Sequence, residues 1–195
     1  STIKDLIWHF VKEEQTEGSA FFESCQSNNI DGVKSCLDYV RNHKQAEKKM
    51  LEWIGRGYWY CGLFEAMSRD HKEMVDLLFP LYEKKYPDIL KKKDQKGNNP
   101  LIWAAKEGLV HCVKLLIPYY EKENLLGELD GDGIKNLLLM MTDDIKNEEI
   151  CEMLITSFKN LDDPSPLTKC CVSKNALTLS VFAGEANMVQ KLVPL

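Results

Sequence analysis

Between Leu101 and Ile117 the apolar residues fall at helical spacing in two short groups separated by a glycine. Leu101, Ala104 and Ala105 share one face, and Val113, Leu116 and Ile117 share another, which predicts two amphipathic helices joined by a turn. Asp94 and Gly97 suit a tight turn before the first helix, and Pro100 fits its first helical turn, where a missing N–H has no partner to lose. Gly108 ends that helix. Ala104 and Ala105 let another backbone approach closely, but two short helices cannot bury such stripes alone. Neighbouring copies are required.

Shifting the chain against itself by 38 residues supplies them. Leu63-Phe64-Glu65-Ala66-Met67 falls over Leu101-Ile102-Trp103-Ala104-Ala105, Val75 over Val113, Pro80 over Pro118, and Tyr82-Glu83-Lys84 over Tyr120-Glu121-Lys122. A shift of 76 lays Leu177, Gly184, Val189 and Leu192 over Leu101, Gly108, Val113 and Leu116. Phe22-Glu23-Ser24 opens an earlier pair, broken at Asn28-Asn29 and continued by Val33, Cys36, Leu37 and Val40. The charged stretch from Arg41 to Lys49 predicts a solvated helix extension or loop outside the core. Asp130, Gly133 and Leu137 begin a fourth copy whose second helix is expected at Glu149 to Ile155. Ahead of all copies, Ile3, Leu6, Ile7, Phe10 and Val11 predict a helix with a polar outer face, suited to capping one end of a stack.

The run Asp94-x-x-Gly97-x-x-Pro100-Leu101-x-x-Ala104-Ala105-x-x-Gly108, followed by Val113-x-Leu115-Leu116, resembles the ankyrin repeat family. Asn99, Ile102 and Leu109 stand where that family has Thr, His and His, and the period exceeds its usual 33 or so residues, which predicts long connecting loops. The resemblance implies an all-α, ankyrin-like solenoid of about five stacked helix pairs forming a single domain. Its expected parts are a capping helix (1–19), repeat 1 with its charged loop (20–52), and repeats at 53–93, 94–129, 130–166 and 167–195. It also implies a non-catalytic module that binds a protein partner through a concave face and turn tips. Mapped onto this chain, the exposed positions are Tyr58, Tyr60, Ser68, Arg69, Gln95, Lys96, Asn98, Lys106, Glu107, Asp132, Ile134, Thr142 and Asp143. Two alternatives are the targeting region of a larger enzyme, such as a kinase or ubiquitin ligase subunit, and a scaffold within a permanent complex.

Trp53, Tyr58, Trp59 and Tyr60 crowd the second turn, where they either anchor a partner or fill space beneath the charged loop. The lysines at 84, 85, 91, 92, 93 and 96 form the densest basic run, but without aromatic residues suited to base stacking they predict a solvated face and no nucleic-acid partner. A net charge of −5 agrees with that expectation. Glu128-Leu-Asp130-Gly-Asp132-Gly133 resembles the start of a calcium loop, yet Lys135 and Leu139 stand where an apolar residue and a bidentate Glu are needed, so no metal is expected. Cys170-Cys171 has no second ligand pair at zinc spacing. His111 and Cys112 are adjacent on a helix and point about 100° apart, which argues against a catalytic dyad. No cofactor motif occurs. Seven cysteines that cannot all pair, with no glycosylation sequon, predict an intracellular compartment, cytoplasm or nucleus. No run is long enough to span a membrane, and the N-terminal residues do not read as a signal peptide. The apolar stripe of Val189, Leu192 and Val193 near the last residue predicts further repeats or a partner covering that end.

Overall fold

The computed structural model describes residues 17–41, 44–52, 61–128 and 147–159. Among these residues the regular structure is helical throughout, as the spacing predicts. The chain divides into two compact units, Ser1–Leu90 and Lys91–Leu195.

In the first unit, helix α1 (Glu17–Gln26) turns back into α2 (Ile30–Val40), and α3 (Lys44–Leu51) follows. A second pair comprises α4 (Gly62–Ser68) and α5 (Lys72–Lys85), with a 3-10 turn at Pro87–Lys91. Helix α1 packs on α2, α3 and α4, and α4 packs on α5. Phe21, Val33, Leu51, Leu63, Phe64, Met67, Met74, Leu78 and Tyr82 fill the core. Burying each large apolar side chain is worth about 1.5 to 3 kcal/mol. The first helices of the two pairs meet closely at Gly62, where an added Cβ would lie 2.6 Å from Phe21 Cε1 and 2.8 Å from Cys25 Sγ.

In the second unit, α6 (Pro100–Lys106) and α7 (Val110–Lys122) form a pair, and α8 (Glu148–Lys159) packs on α7. Pro100 begins α6, and Asn99 caps it by accepting the Ile102 N–H at 2.8 Å. Leu101, Ala104, Cys112, Val113, Leu116 and Tyr120 are buried.

Three helix pairs share one joint. Asn28, Asp70 and Gly108 take left-handed φ values of 55°, 54° and 73°. After each, the next N–H reaches back five residues: Asn29 to the Ser24 carbonyl at 2.8 Å, His71 to Ala66 at 3.0 Å, and Leu109 to Ala104 at 2.9 Å. The left-handed residue donates to Cys25, Met67 or Ala105, which completes the bonding of a Schellman ending. Asn and Asp tolerate that conformation better than other side-chain-bearing residues, so a glycine is required in none of the first two copies. The second helices also match: α5 and α7 each carry an exposed proline inside the helix, Pro80 and Pro118.

The charged stretch from Arg41 to Lys49 runs into α3, and its residues 45–49 stay exposed or half-buried, as expected; the helix reaches the core through Met50 and Leu51, just past that stretch. Its apolar face is two residues wide, too short for periodicity to show. The long connections hold the same device again: the 3-10 turn buries Ile89 and Leu90. The second helix of the fourth copy is longer than expected, running from Glu148 to Lys159. The proposed capping helix before residue 17, the aromatic turn at 53–60, the fourth turn after residue 128 and the copy after residue 159 lie outside the described residues.

Candidate functional site

The turn before α6 is built around one carboxylate. Asp94 Oδ1 accepts the backbone N–H groups of Lys96 (2.8 Å) and Asn98 (2.7 Å), and Oδ2 accepts the Asn98 side-chain amide at 3.0 Å. The Asp94 N–H donates to the Asn98 carbonyl at 2.8 Å, and Gly97, at φ 77°, donates to the Asp94 carbonyl at 2.9 Å. Five bonds within five residues fix the loop, and they leave Gln95 and Lys96 exposed at its tip.

Asn98, expected on the exposed surface, is 4% exposed and belongs to the turn's interior. The reason is its amide: the Nδ2 group completes the shell of Asp94, while Oδ1 accepts Lys106 Nζ at 3.4 Å. Lys106 is half-buried for the same reason, and Glu107 is exposed. Tip and helix end therefore meet through Asn98, which brings Lys96, Asn98 and Lys106 into one patch of the second unit.

In the first unit, Ser68 and Arg69 are exposed at the end of α4. The Ser68 hydroxyl donates to the Glu65 carbonyl at 2.9 Å. Arg69 Nε donates to Glu65 Oε1 at 2.7 Å, and Gln26 Nε2, from α1, donates to the same oxygen at 3.0 Å. The Glu65 side chain is only 9% exposed. Its importance escapes a reading by residue type, since the equivalent positions hold Glu23 and Trp103; the four-residue spacing from Glu65 to Arg69 is the one signal in the sequence. Tyr58, Tyr60, Asp132, Ile134, Thr142 and Asp143 lie outside the described residues.

The lysine run is partly tied down. Lys85 pairs with Glu47, Lys91 with Glu123 at 2.7 Å, and Lys93 with Glu128 at 3.5 Å. The side-chain hydrogen bond from Lys91, with its charge, holds the Glu123 carboxyl below the usual range. Lys84, Lys92 and Lys96 are exposed to solvent.

Candidate chemistry on the thiols is weak. Cys25, Cys36, Cys61, Cys112 and Cys151 are buried thiols. Burial pushes the Cys36 thiol up to about 11 and the Cys25 thiol higher still, with Cys61, Cys36 and Glu65 adding to the effect at Cys25. Such thiols are poor nucleophiles near neutral pH. Cys112 faces the core of its helix pair, whereas His111 is half-exposed. Among the described residues no helix is long and apolar enough to cross a membrane.

A plant protein named as an E3 ubiquitin-protein ligase, XBAT34 of Arabidopsis thaliana, is 27% identical over 133 residues, 68% of this chain. The chain spans only 31% of that relative's length. The family model for ankyrin repeats in three copies matches residues 25–125, just over half of the chain. The matched span takes in the left-handed joints at Asn28, Asp70 and Gly108 and most of the helices they connect, and the chain belongs to the ankyrin repeat family.

Proposed function

We propose that this ankyrin-repeat chain acts as a non-catalytic recognition module, docking a protein partner on its turn tips and on the exposed ends of its first helices. The observation that carries this reading is the Asp94–Asn98 turn. Its internal hydrogen bonds order the backbone before any partner arrives, so Gln95 and Lys96 are presented with little conformational entropy left to lose. Ser68 and Arg69 occupy the corresponding helix end in the first unit. The expected contacts at Tyr58, Tyr60, Asp132, Ile134, Thr142 and Asp143 extend the same proposal to other copies, and the cytoplasm or nucleus is its proposed setting.

Site-specific photocrosslinking tests it. A benzophenone side chain at Gln95, Lys96 or Ser68 should capture a partner from a native extract, while the same group at Asp76 or Lys114, exposed on the second helices, should not. Equal capture from both sets, or capture from the second helices alone, would overturn the assignment of the binding face.

The similarity to XBAT34, across 31% of its length, favours a second, compatible reading, in which these repeats recruit a substrate for a ligase. A ubiquitination assay with the full-length protein tests it: deleting residues 17–128 should abolish modification of the captured partner and spare the ligase's self-modification.

A further inference from the structure

We propose that Arg69 reads a carboxylate on the partner, an Asp or Glu side chain within an acidic peptide segment that docks at the end of α4. The proposal rests on the docking face inferred above and names the chemistry of one contact on it. Arg69 Nε is anchored at 2.7 Å to Glu65 Oε1, and Gln26 reaches across from α1 to the same oxygen at 3.0 Å. Burying a carboxylate is unfavourable unless hydrogen bonds compensate it. Here the compensation comes from Gln26 and Arg69, and the result is an arginine whose side chain is held in place yet 47% exposed.

A guanidinium has five N–H donors in one plane. Glu65 engages the Nε group, and the two Nη groups take no other acceptor among the described residues. That remaining edge matches the spacing of two carboxylate oxygens. Asp70, next in the chain, is turned toward Lys72 at 3.6 Å and offers the guanidinium no competing bond. Because Glu65 already offsets the charge of Arg69, recognition depends on the planar fork more than on a long-range field. The contact should therefore discriminate strongly between Arg and Lys and respond weakly to salt.

The experiment selects linear dodecapeptides from a phage-displayed library on the full chain, then measures their affinities by fluorescence anisotropy. The proposal expects enriched peptides to share an Asp or Glu whose change to Asn or Gln weakens binding about tenfold. Arg69→Ala should weaken the parent peptide to the same extent and leave the amide peptide unaffected, and Arg69→Lys should fail to restore binding. Glu65→Ala should weaken binding in the wild-type background and have no further effect in Arg69→Ala, a coupling that general loosening of the fold would not produce. Circular dichroism confirms that each variant is folded, and Arg69→Lys, which retains a cation beside Glu65, serves if Arg69→Ala is not.

Peptides that bind Arg69→Lys as well as wild type would overturn the proposal, as would tighter binding of synthetic phosphoserine peptides than of their Asp and Glu counterparts. Peptides insensitive to Arg69 but lost on changing Gln95 and Lys96 would remove this contact and leave the docking face standing. If no peptide is enriched, both readings fail for linear segments.

Discussion

The Tyr82 hydroxyl donates a 2.8 Å hydrogen bond to the Leu51 carbonyl, joining the end of α3 to α5 in the interior of the first unit. Leu51 is the last residue of α3, so its carbonyl is one that the helix itself cannot satisfy. The same tyrosine oxygen faces the Leu63 N–H, the second amide of α4 and another orphan of a helix end. Tyr120 stands in the same relation to the Leu101 N–H of α6. A tyrosine near the end of α5 and another near the end of α7 thus close the start of the first helix in their own pairs. Tyr82→Phe should cost about 1 to 3 kcal/mol, because the buried carbonyl keeps its desolvation and loses its donor. Urea unfolding measures this, and a loss below a few tenths would mean that water takes over the bond.

Leu101 is fully buried, so Leu101→Ala should cost about 2 to 5 kcal/mol. Lys106→Ala loses one long bond to Asn98 and should cost little. Equal, small losses for the two would contradict the repeat register.

The shared joint makes a prediction of opposite signs. Gly108→Ala should destabilise by about 1 to 2 kcal/mol through its φ of 73° alone, because no heavy atom lies within 4 Å of the added methyl. Asp70→Gly, at φ 54°, relieves the same strain and should be neutral or stabilising. Thermal melts that moved both variants in the same direction would show that something other than backbone conformation governs the joint.

Alkaline pH should unfold the chain. The Cys36 thiol is raised from 9.0 to about 11 by burial, and Cys25, Tyr82 and Tyr120 are also raised, burial being the first cause in each. An acid with a higher pKa when folded holds its proton more tightly in the native state. Its contribution is complete below the unfolded pKa and is lost as pH rises toward the folded one. The melting temperature should therefore hold to about pH 8.5, begin to fall at about 9 as Cys36 starts to differ, and go on falling past about 11, because Cys25, Tyr82 and Tyr120 are raised as well. Cys36→Ala should make that fall shallower.

Much of the fold was legible because its signals are local. Gly108, Pro100 and the paired alanines each have a local reason to be where they are: α6 starts at Pro100, buries both alanines, and turns into α7 through Gly108. Asn28 was readable for the same reason. What stayed hidden depends on contacts between distant residues. Met50 and Leu51 look like the tail of a charged segment until Tyr82 is seen bonded to the Leu51 carbonyl. Asn98 looks like a surface amide until Asp94 is found to need its donors. Glu65 looks like another surface acid until α1 closes over it and brings Gln26 to its oxygen. Polar residues are the hard cases, since their type predicts exposure and only a partner makes burial affordable.

Pro80 and Pro118 give the second helices an uneven resistance to opening. Proline has no N–H, so the rung that would join residue 80 to the Asp76 carbonyl, and residue 118 to that of Lys114, is absent from α5 and α7. Each helix is thereby divided into an early and a late segment, coupled by packing where the backbone ladder is broken. Buried Tyr82 and Tyr120 lie just beyond the gaps and hold the late segments to the core. Amide exchange should register the division: fluctuations that loosen the start of a second helix need not travel past its proline, and the tyrosine-bearing turns should be the slowest part of each to exchange.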